Sequence, residues 1–138
     1  MLTFRSVVDP ADCDFLGHMN VSRYFAACSD GVFAFQSELG LTAEDMRDGR
    51  RLSFAVVRAE SDFRAELTAG ESIYLETEVL EIGTKSMTFR HRLYRARDRG
   101  LAFETRFKCV LMSLTERRAR PVPDDIRAKA QDWLASDA

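Results

Sequence analysis

The stretch Asn20-Val21-Ser22-Arg23-Tyr24-Phe25-Ala26-Ala27-Cys28-Ser29-Asp30-Gly31-Val32-Phe33-Ala34-Phe35-Gln36-Ser37-Glu38-Leu39-Gly40 decides the fold. Within it Val21, Tyr24, Phe25, Cys28, Val32, Phe35 and Leu39 recur at spacings of three and four, so they share one stripe of a helix. Asn20 is suited to cap the first turn, and Gly40 supplies the stop beyond the last. Gly31 inside the pattern costs about 1 kcal/mol against alanine, which marks it as a close packing contact. The stripe is wider and greasier than a helix resting on one flat surface needs. A sheet curved around the helix would cover it.

The flanking sequence supplies that sheet. Thr3 to Val8 reads as a short strand stopped by Asp9-Pro10, because proline cannot donate to a ladder. A charged loop from Thr42 to Arg51 leads into strand-like alternation from Leu52 to Leu67. Glu71 to Ile82 then alternates, with Ile73, Leu75, Thr77 and Val79 on one face, and Gly83-Thr84 turns the chain into a strand from Ser86 to Ala96. Asp98-Arg99-Gly100 makes the next hairpin turn, and Leu101, Phe103, Phe107, Cys109 and Leu111 line one face of the last long strand. Pro121-Val122-Pro123-Asp124 opens a short helix that runs through Trp133 and Leu134. The expected class is α+β, with a long central helix wrapped by a curved antiparallel five-stranded sheet and a short C-terminal helix. No repeat, low-complexity segment or linker divides residues 1–138, so a single domain is expected.

Composition narrows the partners. With 46% hydrophobic residues and ten Phe the chain can bury a sizeable core, and its formal charge of −2 offers no footprint for nucleic acid. Met1-Leu2-Thr3-Phe4 runs into Arg5 and then Asp9-Pro10 without the apolar centre of a signal peptide, and no apolar run is long enough to span a bilayer. A cytoplasmic location without membrane or nucleic-acid partners is expected. Cys13, Cys28 and Cys109 are scattered without CxxC spacing, which fits reduced thiols.

The chemistry lies just ahead of the helix, in Asp12-Cys13-Asp14-Phe15-Leu16-Gly17-His18-Met19-Asn20. A carboxylate, a glycine turn and two polar side chains precede a helix N-terminus, where unpaired N–H groups and the positive end of the dipole favour developing negative charge. Such a site suits acyl chemistry. Asn20 can orient Asp14 or water, cap the helix, or do both with one amide. His18 can tune Asp14 as a neighbouring charge or hydrogen-bond partner, or satisfy loop backbone.

With its order of elements and this loop, the chain resembles the hotdog-fold acyl-CoA thioesterases of the 4-hydroxybenzoyl-CoA thioesterase group. Asp12-Cys13-Asp14, Gly17 and Tyr24 match that group's loop-to-helix segment without a gap, and Lys85-Ser86 after a turn is a second match. The resemblance implies that Asp14 attacks the thioester carbonyl or activates water, and that the backbone N–H of Val21 is the oxyanion donor. It also implies an acyl-CoA substrate, no metal and no cofactor beyond the coenzyme A of the substrate. A homodimer or homotetramer with active sites built from two chains is implied as well, which would resolve the sheet's open edges. Gly17-His18-Met19-Asn20 departs from the 4-hydroxybenzoyl enzyme, which has apolar and aromatic residues there. It resembles a broader hotdog branch that includes enzymes associated with carnitine and betaine metabolism. Short or medium acyl groups, aromatic acids and betainyl groups are therefore all open.

The substrate-binding candidates are Gly17, Met19 and Tyr24 beside the loop, Glu60 on the acyl pocket, and Lys85, Ser86 and Arg90 on the phosphates or pantetheine of coenzyme A. Glu60 and Asp62 also alternate with Arg58 and Arg64 in a pattern that suits an ion-pair surface. His91 shares an apolar face with Met87, Phe89 and Leu93 and is expected to be a packed core residue. Arg117-Arg118-Ala119-Arg120 is a solvated charge run or a contact for the 3′-phosphoadenosine end of the coenzyme. Other readings remain. A hydratase or dehydratase of the same fold places its Asp and His around an Asn-Pro pair, whereas Phe15-Leu16-Gly17 separates Asp14 from His18. Two distant histidines make a poor metal set. A non-catalytic acyl-CoA-binding protein would keep the fold and lose turnover.

Overall fold

The computed structural model describes residues 1–136. Its elements are strand β1 (Leu2–Val7), a single 3-10 turn at Pro10–Asp12, helices α1 (Val21–Glu38) and α2 (Ala43–Asp48), strands β2 (Leu52–Phe63), β3 (Ser72–Ile82), β4 (Ser86–Arg95) and β5 (Leu101–Ser113), and helix α3 (Asp124–Gln131). The five strands form one antiparallel sheet in the order β1-β3-β4-β5-β2. This is the hotdog arrangement expected from the sequence.

The sheet's inner face meets α1. Tyr24, Ala27, Cys28, Gly31, Val32, Phe35 and Gln36 of the helix are buried against a core that includes Phe89, Phe103, Leu75 and Leu93. Each large apolar side chain buried this way contributes about 1.5–3 kcal/mol. A Cβ added at Gly31 would stand 2.6 Å from Leu75 Cδ2 and 3.1 Å from Thr3 Oγ1, so helix and sheet pack closely at this glycine. Gln36 lies inside the apolar stripe yet is fully satisfied. Its amide donates to Ser53 Oγ at 3.0 Å and accepts from the Phe54 N–H at 3.2 Å, tying the end of α1 to the start of β2.

A row of hydroxyls crosses the same inner face. Thr3 and Thr77 share a hydrogen bond of 2.7 Å, and Thr77 Oγ1 lies 2.8 Å from Nδ1 of His91. His91 is wholly buried, and burial alone pushes its pKa down to about 3. As the register of its strand implied, it is a packed core residue.

Three local features differ from the sequence-based expectation. The segment taken as a charged loop contains α2, capped by Thr42, whose Oγ1 accepts from the Asp45 N–H, with Glu44 and Asp45 in its first turn. β2 stops at Phe63; the Arg64 and Ala65 N–H groups both donate to Ala102 O, and the chain then passes the N-terminus of α1, where Leu67 O accepts from the Met19 N–H. α3 ends at Gln131, after which Leu134 bridges Val79; the Val79 N–H donates to Trp133 O at 2.9 Å, and the Ala135 N–H to Val79 O at 2.8 Å. The tail thereby covers the part of β3 that β1 does not reach.

The other sheet edge is open. Among the described residues β2 pairs with β5 alone, and Val57 and Phe63 are 60% and 50% exposed. A long exposed strand edge with apolar side chains invites pairing with another chain. No helix among the described residues is long and apolar enough to cross a membrane.

Candidate active site

The loop ahead of α1 folds back on itself. Cys13 and Met19 form an antiparallel bridge, the Asp14 N–H donates to His18 O at 3.1 Å, and the Gly17 N–H donates to Asp14 O at 3.0 Å. Closing so tight a loop takes a left-handed residue, and Gly17 supplies it with φ of +85°. Met19 anchors the loop through its N–H to Leu67 O at 2.7 Å and is itself buried.

Asp14 is held by both carboxylate oxygens. Asn20 Nδ2 donates to Oδ2 at 2.9 Å, and the Leu16 N–H donates to Oδ1 at 2.9 Å. Asn20 is the main cause, and Leu16 the second, of a carboxyl pKa below the ordinary aspartate value; the nearby His18 adds a smaller effect in the same direction. The other end of the Asn20 amide caps the helix, accepting from the Ser22 N–H at 2.9 Å and from Ser22 Oγ at 2.7 Å. One side chain therefore does both tasks that the sequence left as alternatives. Arg23 N–H is bound to Asn20 O, whereas the Val21 N–H has no partner among the described residues, and Val21 is 53% exposed. This is an unfilled donor at the positive end of an 18-residue helix.

Beside this loop lies a pocket of about 370 Å³ lined by His18, Met19, Val21, Tyr24, Phe63, Arg64, Ala65 and Glu66. Its floor is aromatic. Tyr24 packs edge-on against Phe63 at 5.2 Å and tilted against Phe103 at 5.1 Å, with its hydroxyl 3.5 Å from Ala65 O. Burial is the first cause of a raised tyrosine pKa, so Tyr24 stays neutral. His18 Nδ1 lies 3.3 Å from Met19 O, and its Nε2 is 3.9 Å from the exposed carboxylate of Glu66.

The structure thus brings Asp14, Gly17, His18, Met19, Asn20, Val21 and Tyr24 together at the end of the sheet where β2 finishes. The wall from Phe63 to Glu66 belongs to the same site. The strand expected from the sequence runs on through Arg64, Ala65 and Glu66, because polar and apolar residues keep alternating there to Leu67 and nothing in that pattern marks the end of β2. Four other candidates lie elsewhere within this chain. Lys85 and Ser86 occupy the opposite end, where Ser86 pairs with Val110 and the Leu111 N–H donates to Lys85 O. Glu60 faces away from α1 and pairs with Arg58 at 2.6 Å, so it does not line the pocket. Arg90 is also on the outer face, against Glu78, with Nε to Oε1 at 2.6 Å. Arg118 and Arg120 of the basic run pair with Glu116. The Cys28 and Cys109 thiols are pushed up to about 12 by burial and are poor nucleophiles. Among the described residues, no three His, Cys, Asp or Glu side chains converge to hold a metal ion.

The model of the thioesterase-like superfamily matches residues 8–130, which include the whole loop, α1 and the sheet from β2 onward. The chain belongs to the thioesterase-like superfamily. Solved structures share this architecture. A Staphylococcus aureus protein solved in complex with CoA matches with a TM-score of 0.87 and 17% identity, covering 96% of this chain and 84% of that one. A gentisyl-coenzyme A thioesterase matches at 0.80 and 21%, covering 90% and 98%. A 1,4-dihydroxy-2-naphthoyl-CoA thioesterase from Synechocystis matches at 0.81 and 18%, covering 95% and 96%. At these identities the likeness shows the hotdog fold. No curated protein matches the chain.

Proposed function

We propose that this thioesterase hydrolyses an acyl-CoA to the free acid and CoA, with Asp14 as the nucleophile. The observation that carries the reading is the carboxylate of Asp14, fixed at both oxygens beside the unfilled Val21 N–H. Its lowered pKa keeps it ionised at neutral pH. A carboxylate oxygen of Asp14 bonds to the thioester carbon, and the Val21 N–H meets the oxyanion. Collapse breaks the C–S bond, expels the CoA thiolate and leaves a mixed anhydride. Water then attacks the anhydride, releases the acid and a proton, and restores Asp14. Asn20 holds the carboxylate in place throughout. His18 sits at the rim of the pocket, near enough to act electrostatically on the Asp14 carboxylate.

The acyl group occupies the pocket over Tyr24, Met19 and Phe63. Its volume of about 370 Å³ suits a short or medium chain, and its rim of Arg64 and Glu66 is polar.

The open edge of β2 supplies the rest of the site. If β2 pairs antiparallel with its own copy about a two-fold axis, the Leu52 end of one chain lies beside the Phe63 end of the other. The register puts Ser86 at the Leu52 end, since Ser86 pairs with Val110 and Val110 with Ala55. A second copy thereby carries Lys85 and Ser86 toward the Asp14 loop, where a turn amide, a hydroxyl and a cation suit the phosphates or pantetheine of CoA. A homodimer is the smallest assembly that completes this site.

The test is thiol release from a panel of short, medium, long, aromatic and betainyl acyl-CoAs by the native protein. Turnover of short or medium chains is expected to dominate. No turnover on any member, with the protein folded and dimeric, would move the reading to an acyl-CoA-binding protein or a hydratase.

A further inference from the structure

The face of the sheet turned away from α1 carries a second concavity, of about 380 Å³, lined by Arg58, Glu60, Leu80, Glu81, Thr88, Arg90, Arg106 and Lys108. Two cross-strand rows build it. One runs Glu78, Arg90, Arg106, Glu60 across β3, β4, β5 and β2; the other runs Glu81, Thr88, Lys108, Arg58 in the same order. In these rows Arg90 is directly opposite Arg106, and Arg58 directly opposite Lys108. Like charges in directly opposed positions destabilise a sheet. Of the three carboxylates in these rows, two are already engaged. Glu78 is engaged by Arg90 and Arg92, and Glu60 by Arg58. Arg106 and Lys108 have no ion-pair partner among the described residues. The two rows hold four cations against three carboxylates, a net charge of +1.

The backbone is shaped at the same level. β2 bulges between Val56 and Arg58, and β3 bulges between Val79 and Glu81, so the strands on both sides of β4 and β5 are displaced where the cations gather. Bulges bend strands and re-aim side chains, and they are common beside binding sites. The two bulges raise the flanks of the concavity, and Arg90, only 5% exposed, forms its floor.

We propose that this outer-face cleft binds a phosphate-type anion, with Arg106 and Lys108 as its principal donors, Arg58 at the rim and the Thr88 hydroxyl as a neutral donor. A di- or polyanionic phosphate bridges Arg106 and Lys108, which stand two residues apart on the same face of β5, and the forked guanidinium of Arg106 suits its oxygens. Two sources carry that chemistry: the phosphates of a CoA thioester, and a free phosphorylated small molecule. The inference holds whichever acyl group is hydrolysed, because no residue of the Asp14 loop takes part.

The experiment is titration calorimetry of the full chain, native and Arg106→Gln/Lys108→Gln, with pyrophosphate and with adenosine 3′,5′-bisphosphate at low salt. The native protein is expected to bind, and the double variant to bind at least about tenfold more weakly. The native melting temperature is expected to rise with pyrophosphate and that of the double variant to stay level. Without ligand the variant is expected to be no less stable than the native protein, since it loses one member of each like-charged pair, so a folding defect would show itself separately. KM assays then separate the sources. A KM raised for acyl-CoA but not for the matching acyl-pantetheine identifies the CoA phosphates; lost pyrophosphate binding with both KM values unchanged identifies a separate phosphorylated effector. Equal affinity of the two proteins for pyrophosphate, or no binding by the native protein, overturns the proposal. So does a double variant that changes only the oligomeric state, which would make the face a contact between copies.

Discussion

Replacing Asn20 by serine separates the two tasks its amide performs. In the native chain Oδ1 caps α1 through Ser22, while Nδ2 holds Asp14 at 2.9 Å. Serine keeps a capping oxygen and loses the reach to Asp14; alanine loses both. Asn20→Ala should therefore cost about 1 kcal/mol of stability, a fall in Tm of roughly 3 °C for a chain of this size, while Asn20→Ser should stay close to native. Both should lower kcat by roughly 10- to 100-fold, because the carboxylate is no longer held toward the reacting carbon. The pH profile gives a further check. Asn20 is the largest cause of the depressed Asp14 pKa. Activity needs the ionised form, so it is complete above that pKa and lost as pH falls through it. Removing the donor raises the pKa and moves the acid limb of kcat to higher pH. Thiol release measured across pH and thermal melts of the three proteins test this together. A serine variant with native kcat and a native acid limb, or one as destabilised as the alanine variant, would refute the division of labour.

Other perturbations act elsewhere. Gly31→Ala, which adds a good helix former, should still destabilise by about 1–3 kcal/mol in denaturant titrations because its Cβ meets Leu75 Cδ2, itself fully buried, at 2.6 Å; a neutral or stabilising result would mean that the Leu75 side chain yields at little cost. Folded His91 takes up a proton only near pH 3, whereas the unfolded chain does so below about 6.5, so stability is full above 6.5 and falls by about 1.4 kcal/mol per pH unit below it. His91→Phe should flatten that acid slope, and identical slopes would contradict the assignment. Val57 stands at the β2 bulge, outside the register with β5, so Val57→Pro should spare that ladder and block pairing of the open edge. Sedimentation is expected to show monomers with reduced activity; a fully active dimer would exclude β2 as the seam.

Much of the architecture was legible locally. The spacing from Val21 to Leu39 set the helix, Asn20 its cap, and Gly31 its tight contact, because periodicity and capping are properties of neighbouring residues. The alternation of Ile73, Leu75, Thr77 and Val79 set the buried face of β3 for the same reason. α2 escaped notice because six mostly charged residues have no apolar stripe; only its Thr42 cap and acidic first turn signal it. Gln36 escaped because its partners, Ser53 and Phe54, lie beyond a loop.

The candidate site divides along the same line. The loop residues and Tyr24 converge because the sequence holds them within two turns of one helix terminus. Lys85, Ser86, Glu60 and Arg90 were grouped with them by residue type, whereas their positions depend on strand register. That register puts Lys85 and Ser86 at the far end of the sheet and Glu60 and Arg90 on its outer face. Pairing between chains can bring the first two back to Asp14, and no pattern within one chain encodes that.

The most direct test of the central claim is kcat for the best acyl-CoA with Asp14→Asn, which keeps the shape of the side chain and the hydrogen bond from Leu16 while removing the nucleophilic charge. A fall of roughly a thousandfold or more with native Tm and dimer content is expected. A variant that turns over within a few-fold of the native enzyme would show that another group attacks the thioester.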